Sequence, residues 1–197
     1  MSTIVCVRKG GTAVISADSL TTFGETRQPA AFDAAFDKIL QLDRNCIGIV
    51  GSAAHQLVVQ SALRQLDDVD LSSREAIFET FRRLHPVLKE QYYLNPKDED
   101  DDPYETSHID ALIVNPHGIF GVFALREVFE YTRFWAIGSG AEYALGAMHA
   151  LYARLDDPVA IARAGVEAGA EFNTGTALPL SIYSVALQEP PPEAILV

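Results

Sequence analysis

The chain has 197 residues, 48% hydrophobic and 21% charged, which suits one soluble domain over residues 1–197, burying about 70% of the surface its unfolded form exposes. A formal net charge of −12 without a basic cluster argues against nucleic acid as a partner, because nothing could release a phosphate backbone's counterions. No apolar run approaches the roughly 20 residues of a membrane span, and the start lacks the regions of a signal peptide, so a cytoplasmic protein away from membranes is expected.

The first stretch predicts a hairpin. Ile4 to Val7 and Ala13 to Ala17 are rich in β-branched and small apolar residues, and Lys9-Gly10-Gly11-Thr12 between them is a turn signal. Loss of Met1 before the small Ser2 would leave a residue with both a hydroxyl and a free α-amine at the start of a strand. Ser19 to Arg27 and the alanine-rich stretch after Pro29 read as an irregular loop leading to Lys38. A second hairpin pairs Lys38 to Leu42 with Cys46 to Val50. Cys6 and Cys46 both lie in apolar β runs and are expected to be reduced packing residues.

Ser52 is placed to cap a helix running to about Leu66. Ser72 and Glu75 form a capping box for a second helix with Ile77, Phe81, Leu84, Leu88 and Tyr92 on its apolar stripe and Pro86 as a candidate kink. The acidic run Asp98 to Asp102 between Pro96 and Pro103 lacks the glycine and terminal glutamate of an EF-hand loop, so a solvated turn is the expectation. Ile109 to Val114, Ile119 to Ala124 and Val128 to Tyr131 read as strands, and Trp135 to Ile137 leads to Gly138-Ser139-Gly140. Helices follow over Ala141 to Arg154 and from Asp156-Asp157-Pro158 to an end near Asn173 to Gly175, then a strand over Leu180 to Leu187 and a stop at Pro190 to Pro192. This order suits two stacked sheets with a helical layer outside each.

Polar groups near strand ends are the candidates for chemistry: Ser2, Asp18, Lys38, Ser139, Glu171 and Thr174, with the backbone of Gly51. Each alone also has a structural role as a turn, cap or snorkelling group. There is no Gly-x-Ser-x-Gly elbow, Walker loop or Cys-x-x-Cys, and the five histidines show no paired metal-ligand spacing, so neither metal nor cofactor is expected.

Taken together, Ser2-Thr-Ile-Val5, Ala17-Asp18-Ser19, Thr21-Thr22, Lys38-Ile39, Gly51-Ser-Ala-Ala54, Ile137-Gly-Ser-Gly140 and Ala162-Arg-Ala-Gly-Val-Glu167 resemble the successive landmarks of proteasome β-subunits and the bacterial HslV peptidase. The chain is most similar to the bacterial proteasome homologues of β-proteobacteria. The resemblance implies an α+β fold, the four-layer αββα sandwich of N-terminal-nucleophile hydrolases. It also implies a homo-oligomeric ring or barrel acting on unfolded polypeptides or peptides, with any ATP-dependent unfoldase left open.

The same resemblance assigns Ser2 as nucleophile, Asp18 and Lys38 as the charged pair beneath it, and the Gly51 amide as oxyanion donor. Ser139, Glu171 and Thr174 match the polar group around the terminal amine. Thr21, Thr22, Ile49 and Ala53 match positions lining the substrate cleft. Ser2 departs from the usual threonine, losing the methyl group that restricts χ1. A retained Met1 would block the amine and favour the rival reading of a catalytically silent ring subunit; a small-molecule amidase of the same fold is the other rival. Because strand side chains alternate between faces, Ser2 is expected beside Ile4 and Cys6, and Thr3 beside Val5 and Val7, so only one hydroxyl can meet Lys38.

Overall fold

Two nearly continuous apolar runs, buried on both faces, flank the Gly10-Gly11 turn and fold the amino-terminal stretch into a hairpin of β1 (Ile4–Lys9) and β2 (Thr12–Asp18). The structure is a computed structural model and describes residues 2–97 and 102–188. Strand β10 (Phe134–Ile137) pairs with the free edge of β1, and β11 (Leu180–Ala186) with that of β2, giving the order β10-β1-β2-β11. A second antiparallel sheet runs in chain order through β5 (Ile39–Leu42), β6 (Asn45–Val50), β7 (Asp110–Asn115), β8 (Gly118–Val122) and β9 (Val128–Tyr131).

The two-residue period of each strand divides its side chains between two cores. Ile4 and Cys6 of β1 point into the space between the sheets, with Ile15, Leu112 and Val114. Val5 and Val7 point the other way, against Met148 of α3 (Ala141–Tyr152) and Ile161 and Val166 of α4 (Pro158–Phe172). On the far side, Ile47, Ile113 and Phe120 meet Leu63 of α1 (Ala54–Leu63) and Phe81 and Leu84 of α2 (Arg74–Gln91). Each such side chain, taken fully out of water, contributes about 1.5–3 kcal/mol. The result is the expected αββα sandwich. Among the described residues no helix is long and apolar enough to cross a membrane.

Several local expectations change. The stretch read as an irregular loop contains a small hairpin, β3 (Thr21–Phe23) and β4 (Thr26–Gln28), because its β-branched residues flank Gly24, whose φ of 58° serves the turn. Helix α1 stops at Leu63 rather than Leu66, and Ser52 accepts the Ala54 N–H from outside the helix instead of capping it. Helix α2 is capped by Ser73, whose hydroxyl accepts the Ala76 N–H at 3.1 Å, one residue after the capping box read from Ser72. It continues through Pro86 to Gln91. Asp157 and Pro158 start α4 as their residue types predict, with the Asp157 carboxylate accepting the Val159 N–H at 2.8 Å. Most of the acidic run, and Pro190 to Pro192, lie outside the described residues.

The two neighbouring serines offer a direct check. Ser73→Ala is expected to lower unfolding free energy by about 1 kcal/mol, whereas Ser72→Ala stays within about 0.5 kcal/mol. Urea denaturation of the two variants reads the difference; a larger loss for Ser72→Ala would return the cap to Ser72.

Candidate active site

Strand β2 ends on Asp18, whose side chain is fully enclosed, and an isolated carboxylate there would be costly. Four donors satisfy it. Oδ1 accepts from Lys38 Nζ at 2.8 Å and from the Thr3 N–H at 2.9 Å; Oδ2 accepts from the N–H groups of Leu20 at 3.0 Å and Ala177 at 3.3 Å. Lys38 precedes β5 in the second sheet, so its stem carries the ammonium across to the first. Besides Asp18 it donates to the Leu20 carbonyl at 2.6 Å and to Ser2 Oγ at 3.1 Å, which uses all three of its protons. Burial pushes the Lys38 pKa below its usual value, opposed by the charge and hydrogen bond of Asp18.

The segment carrying Lys38 is itself tied down. Asp37 Oδ1 accepts the Ile39 N–H at 3.0 Å, its Oδ2 accepts the Tyr183 hydroxyl, and its carbonyl accepts Gln56 Nε2 at 3.0 Å. Residues from β11 and α1 therefore aim Lys38. Neither Tyr183 nor Gln56 stands out in the sequence, because nothing local links either to Asp37.

The amino-terminal alternation places the two hydroxyls apart. Ser2 meets Lys38, whereas Thr3 is wholly buried on the helix side, its Oγ1 2.7 Å from Thr176 Oγ1. Glycines make room for this chain end. A Cβ on Gly138, whose φ is 93°, would lie 2.2 Å from the Ser2 carbonyl oxygen, and one on Gly140 would lie 2.0 Å from Thr3 Oγ1. The Gly138-Ser-Gly140 turn thus has a packing role that its sequence did not disclose.

The polar group beside this end corrects part of the sequence reading. Ser139 is present, its Oγ donating to Asn173 Oδ1 at 2.9 Å and lying 3.5 Å from the Ser2 carbonyl oxygen. Glu171 and Thr174, however, are exposed at the end of α4. Their places are taken by Asn173 and Thr176, which keep the same spacing two residues further on. Asn173 Nδ2 donates to the Ser139 carbonyl at 2.9 Å, while its Oδ1 also accepts the Gly175 N–H at 3.0 Å and Thr176 Oγ1 at 3.3 Å. The physical cause is the helix end: α4 stops at Phe172, so side chains of the following turn, not of the last helical turn, fold back toward Ser139. The Asn-x-Gly pattern, an Asx-turn signature, was the available signal.

Ser2, Lys38 and Gly51 open onto one cleft of about 250 Å³, which Thr21, Thr22, Ile49 and Ala53 also line, joined by Asp33, Phe36 and Asp37. Gly51 follows β6 with a φ of 124°, a conformation that L side chains rarely adopt. A larger hollow of about 670 Å³, near Arg74, Phe78 and Phe129 at the start of α2, lies apart from these groups.

No protein-family model matches the chain, and a search of curated proteins finds no match. Solved structures do. BPH of Thiobacillus denitrificans, the bacterial proteasome homologue, in complex with epoxomicin is 40% identical with a TM-score of 0.89, the match covering 95% of this chain and 100% of that one. The chain belongs to the proteasome β-subunit and HslV family. A second structure of the same BPH is 41% identical at a TM-score of 0.89, covering 94% of this chain and 98% of that one. HslV from Trypanosoma brucei, at 20% identity and a TM-score of 0.69 over 93% of this chain and 99% of that one, shares the fold. For this proteasome-family chain the buried charge pair gives a test. Asp18→Asn leaves Lys38 without its counter-charge, an expected loss of about 3–5 kcal/mol in denaturation, and Asp18→Asn combined with Lys38→Met should recover part of it. Full additivity of the two single effects would deny that they form a pair.

Proposed function

We propose that the chain is a proteasome-type peptidase whose nucleophile is the Ser2 hydroxyl and whose base is the Ser2 α-amine, exposed when Met1 is removed. The observation that carries this reading is the 3.1 Å approach of Lys38 Nζ to Ser2 Oγ above the Asp18 carboxylate, at the wall of the cleft. An α-amine titrates near 7.7 to 8.0, so around neutral pH a useful fraction is free to take the hydroxyl proton. The Lys38 charge favours the developing alkoxide and opposes a second proton on the amine.

In the proposed reaction Ser2 Oγ bonds to the peptide carbonyl carbon as its proton passes to the amine. The carbonyl oxygen becomes an oxyanion facing the Gly51 N–H. Collapse breaks the C–N bond, the leaving amine takes the proton, and an ester on Ser2 remains. Water then adds with the amine again as base, releasing the acid product. Asn173, Ser139 and Thr176 position the chain end through the Ser2 carbonyl and the Thr3 hydroxyl. Thr21, Thr22, Ile49 and Ala53 are proposed to contact substrate. Family membership supports a homo-oligomeric ring as the proposed assembly.

Mass and N-terminal sequencing should show a mature chain starting at Ser2. Ser2→Ala is expected to remove peptide hydrolysis by about a thousand-fold or more and to end labelling by hydroxyl-directed electrophiles. Thr3→Ala should still be labelled on Ser2. Epoxomicin, the partner of the Thiobacillus denitrificans BPH, is the natural first probe. Labelling on Thr3, or a native chain that retains Met1 and cleaves nothing, would sink the proposal.

The pH profile supplies a second check. Lys38 acts as a cation, and its pKa lies below the ordinary 10.5 of a lysine, so this contribution is fully present at low pH and lost as pH rises through the lowered value. An alkaline limb in kcat/KM below pH 10.5, absent from Lys38→Arg, is expected; an identical limb in that variant would assign it elsewhere. Light scattering should also find assemblies well above the 21.5 kDa of one chain.

A further inference from the structure

We propose that His55 is a positioning residue for the Gly51 peptide, its ring occupying the space where a side chain at position 51 would stand and holding the amide toward the cleft. The inference rests on the reading of Gly51 as oxyanion donor and names the group that sets that donor's direction.

Gly51 has a φ of 124°, a conformation open to glycine and rarely to any other residue, so the direction of its N–H depends on what packs against it. The space beside its α-carbon is closed. A Cβ built there would meet His55 Nδ1 at 2.7 Å, His55 Cε1 at 3.1 Å and the His108 carbonyl oxygen at 3.4 Å. The imidazole edge therefore abuts the Gly51 Cα–H, and the segment entering β7 backs the contact. His55 is well placed for this role, as it lies in the first turn of α1 with its own N–H on the Ser52 carbonyl at 3.0 Å. The turn that leaves β6 is thus tied to His55 through both backbone and ring.

The choice of histidine is informative. Nδ1 is buried without a hydrogen bond of full geometry among the described residues, and the polar neighbour of the ring is the backbone of Val50, the last residue of β6 before Gly51. Burial, together with nearby His108, lowers the His55 pKa, with the Val50 backbone acting in the opposite sense, so the ring is neutral at neutral pH. A neutral flat ring braces the peptide without adding a charge that would attract the substrate itself.

A brace for an oxyanion donor acts when negative charge develops, not when substrate binds. His55→Ala in the assembled, processed protein is therefore expected to lower kcat for a fluorogenic peptide by about ten-fold while KM stays within about two-fold. A peptidyl boronate, which forms a tetrahedral anion on a serine hydroxyl, should bind about ten-fold more weakly, and the matching peptide amide about as well as before. The boronate arm does not need turnover.

A second pair of variants guards against misfolding. His55→Asn puts an amide atom where Nδ1 stands and should keep most of the activity, whereas His55→Gln puts it one bond further out and should behave like His55→Ala. Equal loss of boronate and peptide-amide binding, a rise in KM matching the fall in kcat, or parity of the Asn and Gln variants would overturn the role of His55. A wild-type protein that neither turns over peptide nor binds boronate would overturn the peptidase reading instead.

Discussion

The site depends on one buried carboxylate. Asp18 lies where β2 ends, at a depth where an unpaired charge would be expelled or neutralised, and its four donors come from four separate parts of the chain. Thr3 belongs to the amino-terminal run, Leu20 to the approach to β3, Lys38 to the edge of the other sheet, and Ala177 to the approach to β11. Withdrawal of any one leaves the carboxylate short of a partner. The requirement to satisfy Asp18 therefore fixes the start of the chain against the Lys38 ammonium, before any substrate is considered.

This explains how residues beside a chain end, ordinarily the least ordered part of a domain, are held in a fixed position. Ser2 is only 8% exposed, its carbonyl lies against Gly138, and the next residue is held by Asp18 through its N–H and by Thr176 through its hydroxyl. The Asn173 turn adds a rim that reaches Ser139. Positioning is distributed over strand, turn and helix, so the nucleophile proposed here needs no restraint of its own beyond χ1.

Much of this was legible from residue patterns. The hairpin about Gly10-Gly11 follows from turn residues set between two β-branched runs, and the opposite facing of Ser2 and Thr3 from the two-residue period of a strand, which is local and strict. The Asp157-Pro158 start of α4 was equally plain, since both residue types act within one turn. What escaped was decided by distant partners or by a shift of one or two residues. Ser72 and Ser73 are both credible caps, and only the helix's actual entry separates them. Glu171-x-x-Thr174 and Asn173-x-x-Thr176 offer the same spacing, and the choice turns on where α4 ends. The Tyr183–Asp37 contact joins residues 146 positions apart, and no local pattern announces it.

Serine in place of threonine then has a structural answer rather than a purely chemical one. The missing methyl group frees rotation of the hydroxyl about χ1, which costs orientation if nothing else holds the oxygen. Here Lys38 Nζ supplies that hold, but it can do so only while its other two protons remain on Asp18 and the Leu20 carbonyl. A lysine free to turn would follow the serine instead of directing it. The orientation that threonine carries in its own side chain is thereby moved to a buried ion pair, and through Asp37, Tyr183 and Gln56 to the packing of β11 and α1.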